Sequence, residues 1–206
     1  MYFSLKALCF FAFPIIFLGQ APSSENDDLK AMRVSQEARN AEAKGTRLQV
    51  PGAILAQVEA NPENCTFSDP GESKKLDAYR VAVTPKGRFV IVVWGRSSCY
   101  CGATGNCDFW IFRKANGKYI RILETHSVRD YGFVSNQTNG YRDLVVWSHG
   151  SAYQSSVRLF HFDGEQYDLS CGWEEEYEIT EGTNAVANDK PAIVDNSCQQ
   201  KDSGRK

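Results

Sequence analysis

The chain has no excess of charge of either sign: 23 Lys+Arg stand against 25 Asp+Glu in 206 residues. Without a clustered basic stripe there is no electrostatic footprint for nucleic acid, so no DNA or RNA partner is expected. A bilayer-spanning run is also missing. The longest apolar stretch, Ala7 to Gly19, is broken by Pro14, and a spanning helix needs about 20 such residues. Histidine is scarce, with only His126, His149 and His161, and there is no G-x-S-x-G elbow. Paired C-x-x-C knuckles and a C-x-x-C with H-x-x-x-H are absent too, so neither a metal nor a cofactor is expected.

What is present begins with the leader. Residues 1–21, "MYFSLKALCFFAFPIIFLGQA", carry one Lys, then the apolar run, then small residues at Gly19 and Ala21. That is the layout of a secretory signal peptide, which predicts a secreted or periplasmic protein with no stable membrane insertion after cleavage. Pro22 is a poor neighbour for a cut after Ala21, and Leu8 before Cys9 argues against lipid attachment.

Removing the leader takes Cys9 from the seven cysteines and leaves Cys65, Cys99, Cys101, Cys107, Cys171 and Cys198. An even count behind an export signal reads as a disulfide framework. Cys99-x-Cys101 and Cys101-x5-Cys107 flank glycines and a turn rather than opening a helix, so a staple is favoured over a redox centre. Cys101–Cys107, closing the short loop "GATGN", is the preferred local bridge; the other four cysteines remain unassigned among themselves.

Residues 22–46 are polar, with scattered apolar positions. They read as a tether, disordered or weakly helical, with nothing to anchor a core. Residues 47–199 are the predicted disulfide-rich domain and 200–206 a disordered tail. "PGAILAQVEANPEN", Pro51 to Asn64, predicts one short helix with Ile54, Leu55 and Val58 on one face and Pro62 as its stop.

From Ala78 the pattern changes to period two with β-branched and aromatic content. "AYRVAV", "RFVIVVWG", "DFWIFR", "YIRILE", "YGFVSN", "YRDLVVWS", "SVRLFHF" and "YDLSC" are eight candidate strands separated by turn sequences. The fold class is therefore mainly β: an antiparallel meander, propeller-blade-like or barrel-like, with one short N-terminal helix. "WIFRKANGKYIRIL" and "RLFHFDGEQYDLS" repeat one another at a spacing in the range of propeller blades.

"NQTNGYRDLVVW", Asn136 to Trp147, resembles the loop-and-strand signature of integrin-type FG-GAP repeats, D-x-N-x-D-G-x-x-D-L. Aligned on Gly140 and Asp143-Leu144, the remaining ligand positions are Ser135, Gln137 and Asn139. With Asp143 as the only carboxylate, calcium is not expected. Asn139-Gly140 then makes a turn that Asp143 caps or orients. Over residues 50–171 the order of helix, cysteines and turns also resembles a set of uncharacterised exported bacterial single-domain β proteins, which implies a small disulfide-stabilised β domain.

Three constellations could carry chemistry. Asp143, His149 and Ser151 invite a triad reading, although a triad is defined by geometry and not by proximity in sequence. The Glu174–Glu178 cluster could supply paired carboxylates, but only Glu174, Glu176 and Glu178 share a strand face, and a solvated edge strand is the favoured use. In "VRLFHFDG", His161 and Asp163 share a face and could pair. A secreted hydrolase using His149 or the glutamates is the competing class.

The favoured expectation is a non-enzymatic domain that binds a protein or glycan outside the cytoplasm through loops 100–106 and 148–155. Its candidate binding residues are Tyr100, Trp110, His149, Ser151 and Tyr153, because aromatic side chains among Ser and Gly suit recognition surfaces. "SHGSAY", Ser148 to Tyr153, is similar to the Ser-Gly-x-x-Tyr loop of bacterial C-type lysozyme inhibitors, with His149 where Ser precedes Gly. That resemblance implies a loop pushed into an enzyme cleft.

Overall fold

The computed structural model describes residues 24–40, 45–58, 75–180 and 191–200. The predicted leader, Cys65 and residues 201–206 lie outside the described residues. Two five-stranded antiparallel sheets make up the molecule. The first holds β1 (Thr46–Leu48), β2 (Leu76–Ala82), β3 (Phe89–Gly95), β4 (Cys107–Ala115) and β5 (Lys118–Val128) in that order. The second holds β6 (Asp130–Thr138), β7 (Tyr141–His149), β8 (Gln154–Phe162), β9 (Tyr167–Glu176) and β10 (Ala192–Val194), again as a meander. All eight predicted strands are present as β2 to β9. The sheets do not close into a barrel, and the two similar hairpins belong one to each sheet.

Why these segments are strands is clearest in β3 and β7, whose apolar runs are buried on both faces. Val90, Val92 and Trp94 of β3 meet Leu144 and Val146 of β7 in the core between the sheets. The alternate residue Val93 packs outward with Ile54, Tyr100, Trp110 and Phe112. Val145 and Trp147 of β7 pack outward with Val157, Trp173, Ala31 and Ala38. Continuous apolar runs are what two covered faces require.

Hairpins follow the turn residues. Asn116-Gly117 joins β4 to β5 with φ of 50° and 77°, and Asn139-Gly140 joins β6 to β7 with φ of 49° and 79°. Positive φ at both central positions is the twist-matched two-residue turn that Asn-Gly favours. Asn139 itself donates from Nδ2 to the Phe162 carbonyl at 2.8 Å. Asp143 does not cap this turn, and Ser135, Asn136 and Gln137 are strand, so the calcium-type loop of the FG-GAP resemblance is replaced by a tight hairpin.

Two helices cover the outer faces. α2 is short, Gly52–Leu55, and buries Ile54; Val58 is buried just beyond it, while Leu55, expected on the same face, is exposed. α1 (Ser24–Asn40) is the helical one of the two alternatives left open for residues 22–46, and it packs on the domain where no anchoring was expected. Its Ala31, Ser35 and Ala38 are buried against the second sheet, at the i, i+4, i+7 spacing of one helix face. Close approach is allowed by Gly132 of β6, where an added Cβ would stand 2.1 Å from the Ala38 carbonyl oxygen.

Cys101–Cys107 is bridged, as preferred from the sequence, and Cys171–Cys198 ties β9 to the 3-10 turn Ser197–Gln200. Cys99 is also disulfide-bonded.

Candidate functional site

Asn106 brings the two predicted loops together. Its Oδ1 accepts from the His149 backbone N–H at 2.7 Å, and its Nδ2 donates to the His149 carbonyl at 2.9 Å. One side-chain amide thus matches both backbone polar groups of a single residue, and the Cys101–Cys107 bridge holds the segment that carries it. Gly102, Ala103, Thr104, Gly150, Ser151 and Ala152 are exposed around this junction. Ser151 Oγ accepts from the Tyr153 N–H at 3.1 Å, and the half-buried Tyr153 accepts from the Tyr177 N–H at 2.8 Å.

Two predicted binding residues are not on that surface. Tyr100 and Trp110 are buried beside α2, edge to face with centroids 5.8 Å apart. Burial, then the nearby Asp108 carboxylate, raises the Tyr100 phenol above its ordinary pKa. They are core because Gly95 lets Tyr100 lie directly on β3, where a Cβ would sit 2.3 Å from the Tyr100 Cβ. The "SHGSAY" loop is a short turn closed by Gly150 and Ser151 N–H groups on the Gln154 carbonyl, at 3.0 and 3.2 Å.

The triad does not assemble. Asp143 and His149 sit six residues apart on one strand, about 20 Å at the usual rise, and Asp143 pairs elsewhere. Its Oδ2 accepts from Asn136 Nδ2 and lies 3.4 Å from His161 Nε2, so His161 partners Asp143 and not Asp163. Asp163 instead accepts the Glu165 and Gln166 N–H groups at 2.6 and 2.8 Å.

The glutamate cluster is not a solvated edge either. β9 is paired on both sides, and Glu175 is fully buried. Its Oε2 accepts from Arg39 Nη2. Glu176, on the opposite strand face, takes a hydrogen bond from Gln154 Nε2 at 2.5 Å.

Register turns these contacts into an ordered face. Across β7, β8 and β9, His149 is level with Ser155 and Glu175, Trp147 with Val157 and Trp173, and Val145 with Leu159 and Cys171. With side chains alternating, these rows share the outer face beneath α1, with Asp143 and His161 at the far end. Sequence reasoning missed this face because its polar members are spread over three strands and a helix. The legible signals were Asp143 inside an apolar strand and the alternation of Trp173 with Glu175.

Polar satisfaction fails here and almost nowhere else among the described residues. Six buried side-chain polar atoms lack a hydrogen-bond partner, and five of them, Ser35 Oγ, Asp143 Oδ1, Trp147 Nε1, Trp173 Nε1 and Glu175 Oε1, lie on α1 or on this face. Buried polar groups are normally paired, which makes this concentration unusual. A cleft of about 470 Å³ under α1 is lined by Asp27, Lys30, Asn136, Asp143, His161 and Trp173 among others. A smaller one of about 270 Å³ lies beside Arg39, Ser35, Glu175 and Tyr177.

Among the described residues no helix is long and apolar enough to cross a membrane, and no group of three metal-ligating side chains converges. Comparison with protein-family models, curated proteins and solved structures finds no match.

Proposed function

We propose that this chain is a non-enzymatic binding module working outside the cytoplasm, and that it recognises a protein through the end of the sandwich where loops 100–106 and 148–155 meet. The observation that carries the reading is the two-way bond between Asn106 and the His149 backbone. It makes two distant loops one preorganised surface whose exposed residues are small and polar, the kind of scaffold-held loop on which recognition concentrates. Bridged cysteines suit an oxidising compartment.

The test is a bait experiment with the exported protein and a matched A103R/A152R variant, which places two cations on the junction at exposed alanines. A protein ligand held by the wild type and weakened at least tenfold in the variant, at unchanged melting temperature, is the expected result. Equal retention by both would reject this surface. A hydrolytic activity that disappears in His149→Ala would reject the non-enzymatic reading.

The Asp143 cleft favours a second reading, a glycan. Asp143 Oδ1 is an unpartnered acceptor, Asn136 and His161 are polar neighbours, and Trp173 supplies an aromatic wall. Sugar hydroxyls would satisfy the carboxylate, so glycan binding lost in Asp143→Asn but kept in A103R/A152R would select this site.

A further inference from the structure

The row of outer-face residues nearest the loop junction ends in a constellation that is already occupied by part of the chain itself. Arg39, in the last turn of α1, donates from Nη2 to the buried Glu175, and its guanidinium carbon lies 5.2 Å from the Trp147 ring centroid and 5.9 Å from that of Tyr177. A carboxylate flanked by two aromatic faces is the environment that recognises an organic cation. Trp147 and Glu175 are supplied by paired strands and Tyr177 directly follows β9, so all three cage residues come from outside α1.

Arg39 fits this cage incompletely. Glu175 is fully buried, yet its Oε1 has no partner, because Arg39 reaches only the other oxygen. A guanidinium normally engages a carboxylate through two parallel hydrogen bonds. The Arg39 side chain is also 41% exposed, and the cleft of about 270 Å³ beside it is lined by Ser35, whose buried hydroxyl is unpartnered. Space and an unused acceptor remain after Arg39 has bound.

The helix that delivers Arg39 docks through a narrow apolar face. Its buried apolar contribution is two alanines, with the partly buried Val34 beside them. A 17-residue helix has little stability of its own. Segments with few buried apolar contacts are the ones that open locally.

We propose that Trp147, Tyr177 and Glu175 form a guanidinium-recognition site, that Arg39 is its resident ligand in cis, and that an arginine side chain of a protein partner displaces it and releases the end of α1. The site adjoins the loop junction directly, since Tyr177 N–H is bonded to the Tyr153 carbonyl. The inference rests on the protein-binding reading for the source of the arginine. A small-molecule probe tests the cage alone, so a cage without a partner and a partner that ignores the cage are distinguishable.

The probe is N-acetyl-arginine methylamide, with the uncharged N-acetyl-citrulline methylamide as its near-isosteric control, titrated into the full chain and followed by the indole NMR signals. Arg39→Ala is expected to bind the arginine probe at least tenfold more tightly than the wild type does and to ignore the citrulline probe; adding Glu175→Gln abolishes the binding. Equal response to both probes, or none in a folded Arg39→Ala protein, overturns the proposal. Hydrogen exchange of the wild type keeps the question decidable if that variant does not fold. Excess arginine probe must accelerate exchange of the 31–39 amides where citrulline does not, and unchanged exchange overturns the proposal equally.

Discussion

Asp163 illustrates what one side chain does for a turn that the sequence announces as Asp-Gly. Its Oδ1 accepts the Gln166 and Glu165 N–H groups, and these bonds hold its carboxyl below the ordinary carboxylate range. The folded state therefore binds the proton less readily than the unfolded one. The turn's contribution is complete above the ordinary carboxylate pKa and is lost as pH falls through the depressed value. NMR titration should show Asp163 protonating below the ordinary aspartate range, and Asp163→Ala should speed amide exchange at Glu165 and Gln166; ordinary titration would refute the assignment. Two tyrosines tell the opposite story, for burial between the sheets raises the phenols of Tyr131 and Tyr167. Tyr100 belongs with them in burial, and nothing in its loop setting, between Cys99 and Cys101, distinguishes a core aromatic from a recognition aromatic until the neighbouring strand is in place.

At the scale of elements, period-two alternation made β2 to β9 readable, whereas α1 was readable only as a weak helix. Its sequence, "SENDDLKAMRVSQEARN", offers no broad apolar stripe. What docks it is a small-residue face meeting Gly132, together with polar ties: Glu37 Oε1 accepts from the Ser135 N–H at 2.5 Å and Asp28 Oδ1 from Asn196 Nδ2 at 3.0 Å. Such partners lie roughly a hundred residues or more away, beyond the reach of any local pattern. Gly132→Ala should lift the helix, since its Cβ would collide with backbone and not with a movable side chain. Exchange of the Ala31–Arg39 amides is expected to rise at least tenfold while β7 and β8 stay protected. Unchanged protection of α1 would show that the close approach is not what seats it.

For the whole molecule, the bridges add to a sandwich whose sheets already share one core. In the chain-entropy picture the gain grows with the loop closed. Cys171–Cys198 spans 27 positions and Cys101–Cys107 only 6, which corresponds to about 3.5 and about 2 kcal/mol respectively. Urea unfolding of C171S/C198S should therefore show the larger loss and C101S/C107S the smaller; the reverse order would mean that the short bridge acts by holding the Asn106 loop in its native geometry. The sequence by itself determined the eight central strands, their Asn-Gly and Asp-Gly turns and the local Cys101–Cys107 staple, because each depends on residues within one or two strand lengths. Only the tertiary structure decided which aromatics face solvent, that Glu175 is buried opposite Arg39, and that Asp143 answers to His161. Those outcomes depend on strand register and helix docking, where groups far apart in the chain meet and where each polar atom's partner is set by the packing around it.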